Sequence, residues 1–195
     1  MMNIFFVGDE LVGGKGDPKA LGWTGRVAAR TMSDANDLMF HTLSVPGEST
    51  GEMALRWDEE VMRRVGRGST NAVVFAIGRN DVRRGVSLAM TRFNLANALD
   101  RTRSLGFRTM VIGPPPSVPH ENGPIAELAA LVEEAAVRRE ARYVDTYGPL
   151  AAHEQWLTDM AMSDEGIPGP AGYGLMAWLV LHAQWREWLG LPSDN

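Results

Sequence analysis

One stretch decides the fold of this chain: Asn3-Ile4-Phe5-Phe6-Val7-Gly8-Asp9-Glu10-Leu11-Val12. Four apolar residues in a row lead directly into Gly8 and Asp9, which is the pattern of a fully buried strand that ends in a sharp turn. In open α/β sheets, ligands and catalytic groups collect at the carboxyl ends of the strands. A nucleophile would be expected at position 10, and the residue there is a glutamate.

Four further segments are predicted to be strands. They are residues 38–45, 71–77, 107–112 and 142–145. The segment 71–77 is apolar on both faces, which is typical of a central strand in a parallel sheet. Helices are predicted at 19–31, 52–65, 86–105, 125–141 and 171–189, and the residues around Trp156 are expected to be irregular.

This alternation of strands and helices predicts an α/β fold with a parallel sheet and helices on both of its faces. We expect a three-layer α/β/α sandwich with a five-stranded parallel sheet in flavodoxin-like order. A length of 195 residues is enough for one domain with a sizeable core, so residues 1–195 are predicted to form a single domain. The stripe Leu175, Trp178, Leu179, His182 and Trp185 is predicted to pack the last helix against the sheet.

The composition narrows the function classes. The net charge is −5 with the basic residues scattered, which argues against a nucleic-acid partner. The chain has no cysteine, and no histidines have metal-ligand spacing, so we expect no disulfide, metal or other cofactor. No signal peptide is visible and no apolar run approaches the ~18 residues that cross a bilayer, so a cytoplasmic protein with no membrane partner is expected.

The loop after the first strand has some features of a phosphate-binding loop. Gly8 and Gly13 have the required separation, but Gly14 stands where a lysine is needed and no Ser or Thr follows Lys15. A flavodoxin-like nucleotide-binding domain is therefore the least favoured interpretation of the sequence. The loop is better interpreted as a mobile border of a pocket.

Glycine-centred turns with polar residues end three of the predicted strands. They are Gly8-Asp9-Glu10-Leu11, Pro46-Gly47-Glu48-Ser49 and Gly78-Arg79-Asn80-Asp81. Further motifs are Gly22-Trp23, Gly113-Pro114-Pro115-Pro116 and Asp164…Pro168-x-x-Ala171-Gly172-Tyr173. In this order, over essentially the whole chain, the motifs resemble the SGNH or GDSL family of serine esterases and lipases.

The resemblance implies a role for each matching position. In that family a serine in the first motif attacks the acyl carbon, a histidine near the C-terminus is its base, and an aspartate three residues earlier orients the histidine. Gly47 and Asn80 match the family's oxyanion donors, and Asp164 matches the orienting acid. The serine position is Glu10 and the histidine position is Ile167.

Both departures remove chemistry from the triad. A carboxylate is a poor acyl-transfer nucleophile beside an activated hydroxyl. A missing general base forfeits on the order of 10²–10⁴-fold in rate. We therefore expect an esterase-like protein that is impaired or inactive as an ester hydrolase and keeps a pocket for a small acyl- or ester-type ligand. His120, in the loop after the prolines, is the candidate for a substitute base.

The alternative is an active hydrolase of esters or acyl groups in which Glu10 is a general base for water, as in inverting hydrolases. Against it, anion-binding donors beside Glu10 should stabilise the carboxylate and lower its basicity. The side chain is long enough to reach the two oxyanion donors. We expect a carboxylate oxygen within about 3.2 Å of both Gly47 N and Asn80 Nδ2, with Lys15 or Arg79 balancing its charge.

Overall fold

The computed structural model describes residues 1–33, 36–163 and 165–192 of the chain. Its strands are β1 (Met2–Gly8), β2 (Leu38–Ser44), β3 (Thr70–Ala76), β4 (Arg108–Ile112) and β5 (Arg142–Val144). They form one parallel sheet in the order β2-β1-β3-β4-β5. The predicted five-stranded parallel sheet in flavodoxin-like order is confirmed.

Helices lie on both faces of this sheet. They are α1 (Gly22–Thr31), α2 (Thr50–Met62), α3 (Arg79–Arg83), α4 (Leu88–Ser104), α5 (Asn122–Val137), α6 (Tyr147–Ala151), α7 (Glu154–Ala161), α8 (Pro170–His182) and α9 (Trp185–Leu189). Ile4 and Phe6 of β1 share an apolar core with α1 and α8, whereas Phe5 and Val7 share one with α2, α4 and α5. Alternate side chains of β1 thus face opposite layers, which gives the predicted three-layer sandwich.

Each of the five predicted helices begins one to three residues from its predicted start, and capping contacts explain two of the shifts. α1 begins at Gly22 rather than at 19, because the Asp17 carboxylate accepts the backbone N–H groups of Lys19 at 3.0 Å and of Gly22 at 3.1 Å and so holds a turn. α2 begins at Thr50 rather than at 52, because Ser49 and Glu52 form a capping box.

The C-terminal third differs more from the prediction. The irregular segment expected around Trp156 instead contains α6 and α7, and Trp156 is buried with its Nε1–H donated to Pro116 O at 3.1 Å. The predicted final helix is divided into α8 and α9, because Gln184 has φ 56°, a left-handed conformation that an α-helix does not contain.

The predicted apolar stripe of the last helix is wrong at Trp178 and His182, whereas Leu175 and Leu179 pack partly buried against the core and Trp185 lies in it. Trp178 is 52% exposed, and its ring stacks on His182 at a centroid distance of 4.0 Å. The buried residues of α8 are Gly172, Tyr173, Met176, Ala177 and Val180. Within the described residues, no helix combines the length and apolar character needed to cross a bilayer.

Candidate active site

Three neighbouring strands bring the three polar turns together. β1 lies between β2 and β3, with Gly8 paired to Ser44 on one side and to Ala76 on the other. Asp9 and Glu10 follow β1, Gly47 lies in the turn after β2, and Asn80 lies in α3 after β3. Because parallel strands end at the same edge of the sheet, these residues meet there.

The Glu10 carboxylate accepts hydrogen bonds from both expected donors. Its Oε2 lies 2.8 Å from Gly47 N and 3.1 Å from Asn80 Nδ2. Both distances are within the expected 3.2 Å. We call the Gly47 N–H and the Asn80 Nδ2–H the donor pair. The Glu10 residue is only 5% exposed, so its side chain fills the space in front of the donor pair.

Two arginines face the other carboxylate oxygen. Glu10 Oε1 lies 4.0 Å from Arg79 Nη2 and 3.9 Å from Arg83 Nη1. Lys15, the second residue expected to balance the charge, pairs instead with Glu165 at 2.5 Å. The sequence reasoning missed Arg83. It lies four residues after Arg79, on the same face of a helix, but α3 itself was not predicted.

Arg79 also forms hydrogen bonds with the loop that precedes α8 and holds it in place. Its Nη1 donates to Gly166 O at 2.6 Å, and its Nη2 donates to Glu165 O. Arg83 Nη2 donates to Glu165 O as well, at 2.6 Å. The guanidinium of Arg79 thus lies between Glu10 and the backbone that directly precedes Ile167, the expected histidine position.

The predicted histidine position, Ile167, follows this fastened segment. Its backbone N–H donates to Ser163 Oγ at 2.8 Å, and its side chain packs against the apolar core under α1 and α8. A Cβ placed on Gly16 would lie 2.6 Å from Ile167 Cγ2, so the loop after β1 packs closely on this side chain. Asp164, the expected orienting acid, lies outside the described residues.

The surroundings shift the pKa values of the adjacent carboxyl groups of Asp9 and Glu10 in opposite directions. Burial would raise the pKa of Glu10, but the hydrogen bonds from the donor pair and the charge of Arg79 outweigh it, so the pKa is lowered. Burial, followed by the charge of Glu10, raises the pKa of Asp9 to about 7. Glu10 is therefore held as an anion at neutral pH and is a weak base.

A buried network behind the site supports the two turns. The Asp81 carboxylate accepts hydrogen bonds from the backbone and side chain of Thr50 and from Thr91 Oγ1. Arg84 donates to Gly47 O and pairs with Glu52. These contacts fix the turns that carry Gly47 and Asn80. The Asp81 network had no sequence signal beyond the Asn80-Asp81 motif itself.

His120, the candidate substitute base, is exposed in the turn before α5. His41 stacks on Phe5 and His182 on Trp178, so these two rings have aromatic partners at the sheet and on α8. Within the described part of the chain, no group of three or more histidine, aspartate or glutamate side chains could share a metal ion.

Comparisons with known proteins place this geometry in context. A family model described as the GDSL-like Lipase/Acylhydrolase family matches residues 6–175. A lipase/acylhydrolase from Enterococcus faecalis is 20% identical, with a TM-score of 0.78 and 100% of each chain covered. Axe2, an acetylxylan esterase from Geobacillus stearothermophilus, is 20% identical, with a TM-score of 0.78 and 98% of this chain and 97% of that chain covered. Among curated proteins, no sequence matches this chain.

Proposed function

Because this chain belongs to the GDSL-like lipase/acylhydrolase family, we propose that it keeps the family's acyl site in a self-occupied form that is impaired or inactive in ester hydrolysis. One observation carries the proposal: Glu10 Oε2 accepts from Gly47 N at 2.8 Å and from Asn80 Nδ2 at 3.1 Å. The family uses these two donors to hold the negative oxygen of the acyl intermediate. Glu10 supplies a permanent anion in its place.

The proposal rests on two features of the site: the expected nucleophile and base are replaced, and the donor pair is occupied by Glu10. Position 10 offers a carboxylate with a lowered pKa instead of a hydroxyl, and position 167 offers an aliphatic side chain instead of an imidazole. Serine hydrolases that lose triad members still accelerate hydrolysis about 10³–10⁴-fold through the oxyanion hole and binding. With Glu10 in front of the donor pair, a substrate carbonyl has no access to that residual stabilisation either.

The alternative function, hydrolysis with Glu10 as a general base for water, draws less support. A general base works best when its pKa lies near the operating pH. The Glu10 pKa is shifted in the opposite direction, and one carboxylate oxygen already accepts two hydrogen bonds. Buried Arg79 further favours the anion. We therefore keep this function as the outcome that would displace the proposal.

The test is hydrolysis of p-nitrophenyl acetate and butyrate at pH 7 by the wild type and by Glu10→Gln, Glu10→Ser, Ile167→His and the double variant Glu10→Ser/Ile167→His. We expect the wild type to remain near the uncatalysed rate. Glu10→Ser vacates the donor pair and should hydrolyse at least about tenfold faster than the wild type. The double variant should recover only partly, because the packing around residue 167 was not built for an imidazole.

The matched control is Glu59→Gln, which neutralises an exposed glutamate that pairs with Arg63 near the end of α2 instead of facing the donor pair. It should leave the rate at the wild-type level. Turnover by the wild type at the level of an intact esterase such as Axe2, lost in Glu10→Gln but not in Glu59→Gln, would establish the general-base function instead.

A further inference from the structure

The Glu10 carboxylate lies among more donors than it uses. Its Oε2 takes both hydrogen bonds of the donor pair. Its Oε1 lies 4.0 Å from Arg79 Nη2 and 3.9 Å from Arg83 Nη1, which is too far for direct hydrogen bonds. Arg83 forms a direct ion pair with Glu121 instead, at 2.8 Å. Among the described residues, Arg79 has no carboxylate within hydrogen-bonding distance, so its nearest counter-ion, Glu10, does not close on it.

Arg79 is the main source of this excess of donors. The residue is 2% exposed, and its Nη atoms donate to the backbone carbonyls of Glu165 and Gly166. Neutral carbonyls satisfy hydrogen bonds but leave the positive charge uncompensated. No acceptor among the described residues lies within hydrogen-bonding distance of Arg79 Nε. Burial, followed by the charge of Arg83, lowers the pKa of Arg79.

Basic side chains also form the approach to the site. The Arg83 side chain is 26% exposed, so its guanidinium connects Glu10 with the surface. Lys15 and Arg84 lie at the rim, with about half of each side chain exposed. The Arg84 guanidinium donates a hydrogen bond to the carbonyl oxygen of Gly47. Each of these basic side chains also pairs with a carboxylate: Lys15 with Glu165, Arg83 with Glu121 and Arg84 with Glu52. An anion approaching this edge of the sheet therefore meets ion pairs rather than unpaired positive charge before it reaches Glu10.

We propose that Glu10 is the tethered occupant of a carboxylate-binding site, and that the ligand of this site is a small organic carboxylate that exchanges with the Glu10 side chain. This inference rests on the proposed function, because it requires the donor pair to bind an anion rather than to catalyse. The exchange replaces one planar anion by another, so Arg79 keeps a counter-ion throughout. A neutral ester supplies no charge and would leave buried Arg79 without the counter-ion that Glu10 provides, because Arg83 is already paired with Glu121.

The ligand class follows from the same geometry. A carboxylate presents two oxygens, one for the donor pair and one for the two guanidinium groups, and planar carboxylates suit guanidinium groups well. A phosphate would bring further charged oxygens into the volume that Glu10 fills with apolar methylenes. We therefore assign a carboxylate rather than a phosphate.

The experiment measures thermal unfolding of the wild type and of Glu10→Ser in sodium acetate, sodium phosphate or sodium chloride at pH 7 and equal ionic strength. Serine is the residue that the family carries at this position, so the fold accommodates it. Acetate should raise the Tm of Glu10→Ser in a saturable way. Its half-maximal concentration should be at least about tenfold lower than in the wild type, where the tethered carboxylate competes.

Two further variants test the assignment. Glu59→Ser removes an exposed glutamate that pairs with Arg63 near the end of α2, and acetate should act on it no more than chloride does. In the Glu10→Ser background, Arg83→Gln should raise the half-maximal acetate concentration by at least about threefold. If Glu10→Ser does not fold, Glu10→Asp, which keeps the charge but is shorter by one methylene, should give a smaller shift in the same direction.

Three outcomes would overturn the inference: no acetate-specific rise in the Tm of the Glu10 variants, equal responses of Glu10→Ser and Glu59→Ser, or a stronger response to phosphate than to acetate. The two proposals fail separately. Ester turnover by the wild type contradicts the proposed function, whereas the absence of an acetate response beside an inert wild type contradicts only the carboxylate site.

Discussion

Asp81 and Thr50 are joined by two hydrogen bonds: Asp81 Oδ2 accepts from Thr50 N at 2.8 Å, and Asp81 Oδ1 accepts from Thr50 Oγ1 at 2.5 Å. Thr50 begins α2, three residues after Gly47, and Asp81 immediately follows Asn80. This contact therefore fixes the distance between the two members of the donor pair. The carboxylate takes a third hydrogen bond from Thr91 Oγ1 at 2.8 Å.

Replacement of Asp81 should be strongly destabilising. Asp81→Ala leaves a buried backbone N–H and two buried hydroxyls without their acceptor, and we expect a loss of about 2–4 kcal/mol in the free energy of unfolding, measured by urea denaturation. Asp58→Ala is the matched control, because Asp58 pairs with Arg101 at the surface and should cost less than about 1 kcal/mol. Equal effects of the two substitutions would contradict the structural role of Asp81.

Asp9 should make stability depend on pH near neutrality. Burial raises the pKa of its carboxyl group to about 7 in the folded chain, from an ordinary value of 3.8. Between these values the folded state holds more protons than the unfolded state, so the free energy of unfolding should fall as the pH rises. Asp9→Asn removes the titrating carboxyl group and with it this pH dependence of the free energy of unfolding. The free energy of unfolding of Asp9→Asn minus that of the wild type should therefore be larger at pH 8 than at pH 5.

The comparison at two pH values separates this effect from others. Asp9→Asn also alters the hydrogen bonds that the carboxyl accepts from Leu11 N at 3.0 Å and Asn80 Nδ2 at 3.4 Å, so the prediction concerns only the difference between the two pH values. Glu10, with its lowered pKa, contributes stability that is lost only as the pH falls below about 4.5. Asp58→Asn controls for the removal of one negative charge. An Asp9→Asn stability difference that is the same at pH 5 and pH 8 would refute the assignment.

Gly8 should tolerate no side chain. A Cβ at this position would lie 2.1 Å from Ala76 O and 2.8 Å from Val12 Cγ2, and Ala76 O belongs to the neighbouring strand. We expect Gly8→Ala to cost more than about 3 kcal/mol or to prevent folding, measured by circular dichroism and urea denaturation. In Gly106→Ala, where φ is 69° and the space is open, the cost should stay near 1 kcal/mol. Similar losses at both sites would show that the strands can separate locally.

Trp185 and Thr31 should be energetically coupled. Trp185 Nε1 donates to Thr31 Oγ1 at 2.8 Å, and both residues are buried between α1 and α9. In a double-mutant cycle of Trp185→Phe and Thr31→Val, we expect a coupling of about 0.5–1.5 kcal/mol, because the second change removes a group that the first has already left without its partner. Additive losses within about 0.3 kcal/mol would mean that the bond contributes nothing to stability.

The central part of the fold is readable from sequence because its strands are apolar without interruption. β1 and β3 are buried on both faces, and a continuous apolar run has few other structures available to it. The last helix is different. Leu175, Trp178 and Leu179 have helical spacing, but so do Tyr173, Met176, Ala177 and Val180, which form the buried face. Two apolar stripes on one helix cannot be ranked without the surface on which the helix packs.

The positions of the site residues were predictable where a motif fixes the backbone. The partners of the long, flexible side chains were less predictable. Gly47, Asn80 and Glu10 follow adjacent strands, so their meeting at one sheet edge follows from the strand order. Arg83 and Lys15 have flexible side chains that reach several partners at similar distances. Lys15 pairs with Glu165, and Arg83 turns towards Glu10 and Glu121. Which carboxylate each selects depends on contacts between segments about 40–150 residues apart.

The fastening of the Glu165–Gly166 backbone by Arg79 has a consequence for the restoration of ester hydrolysis. A serine at position 10 without a histidine lacks a base, and a histidine at position 167 without the serine has no hydroxyl to activate. With both present, Arg79 still holds the loop by two carbonyls, and Gly16 still packs against residue 167. No single replacement supplies both groups, and Glu10→Ser alone should recover only the part of the rate that the vacated donor pair provides. The effects of the two substitutions on ester hydrolysis are therefore expected to depend on each other.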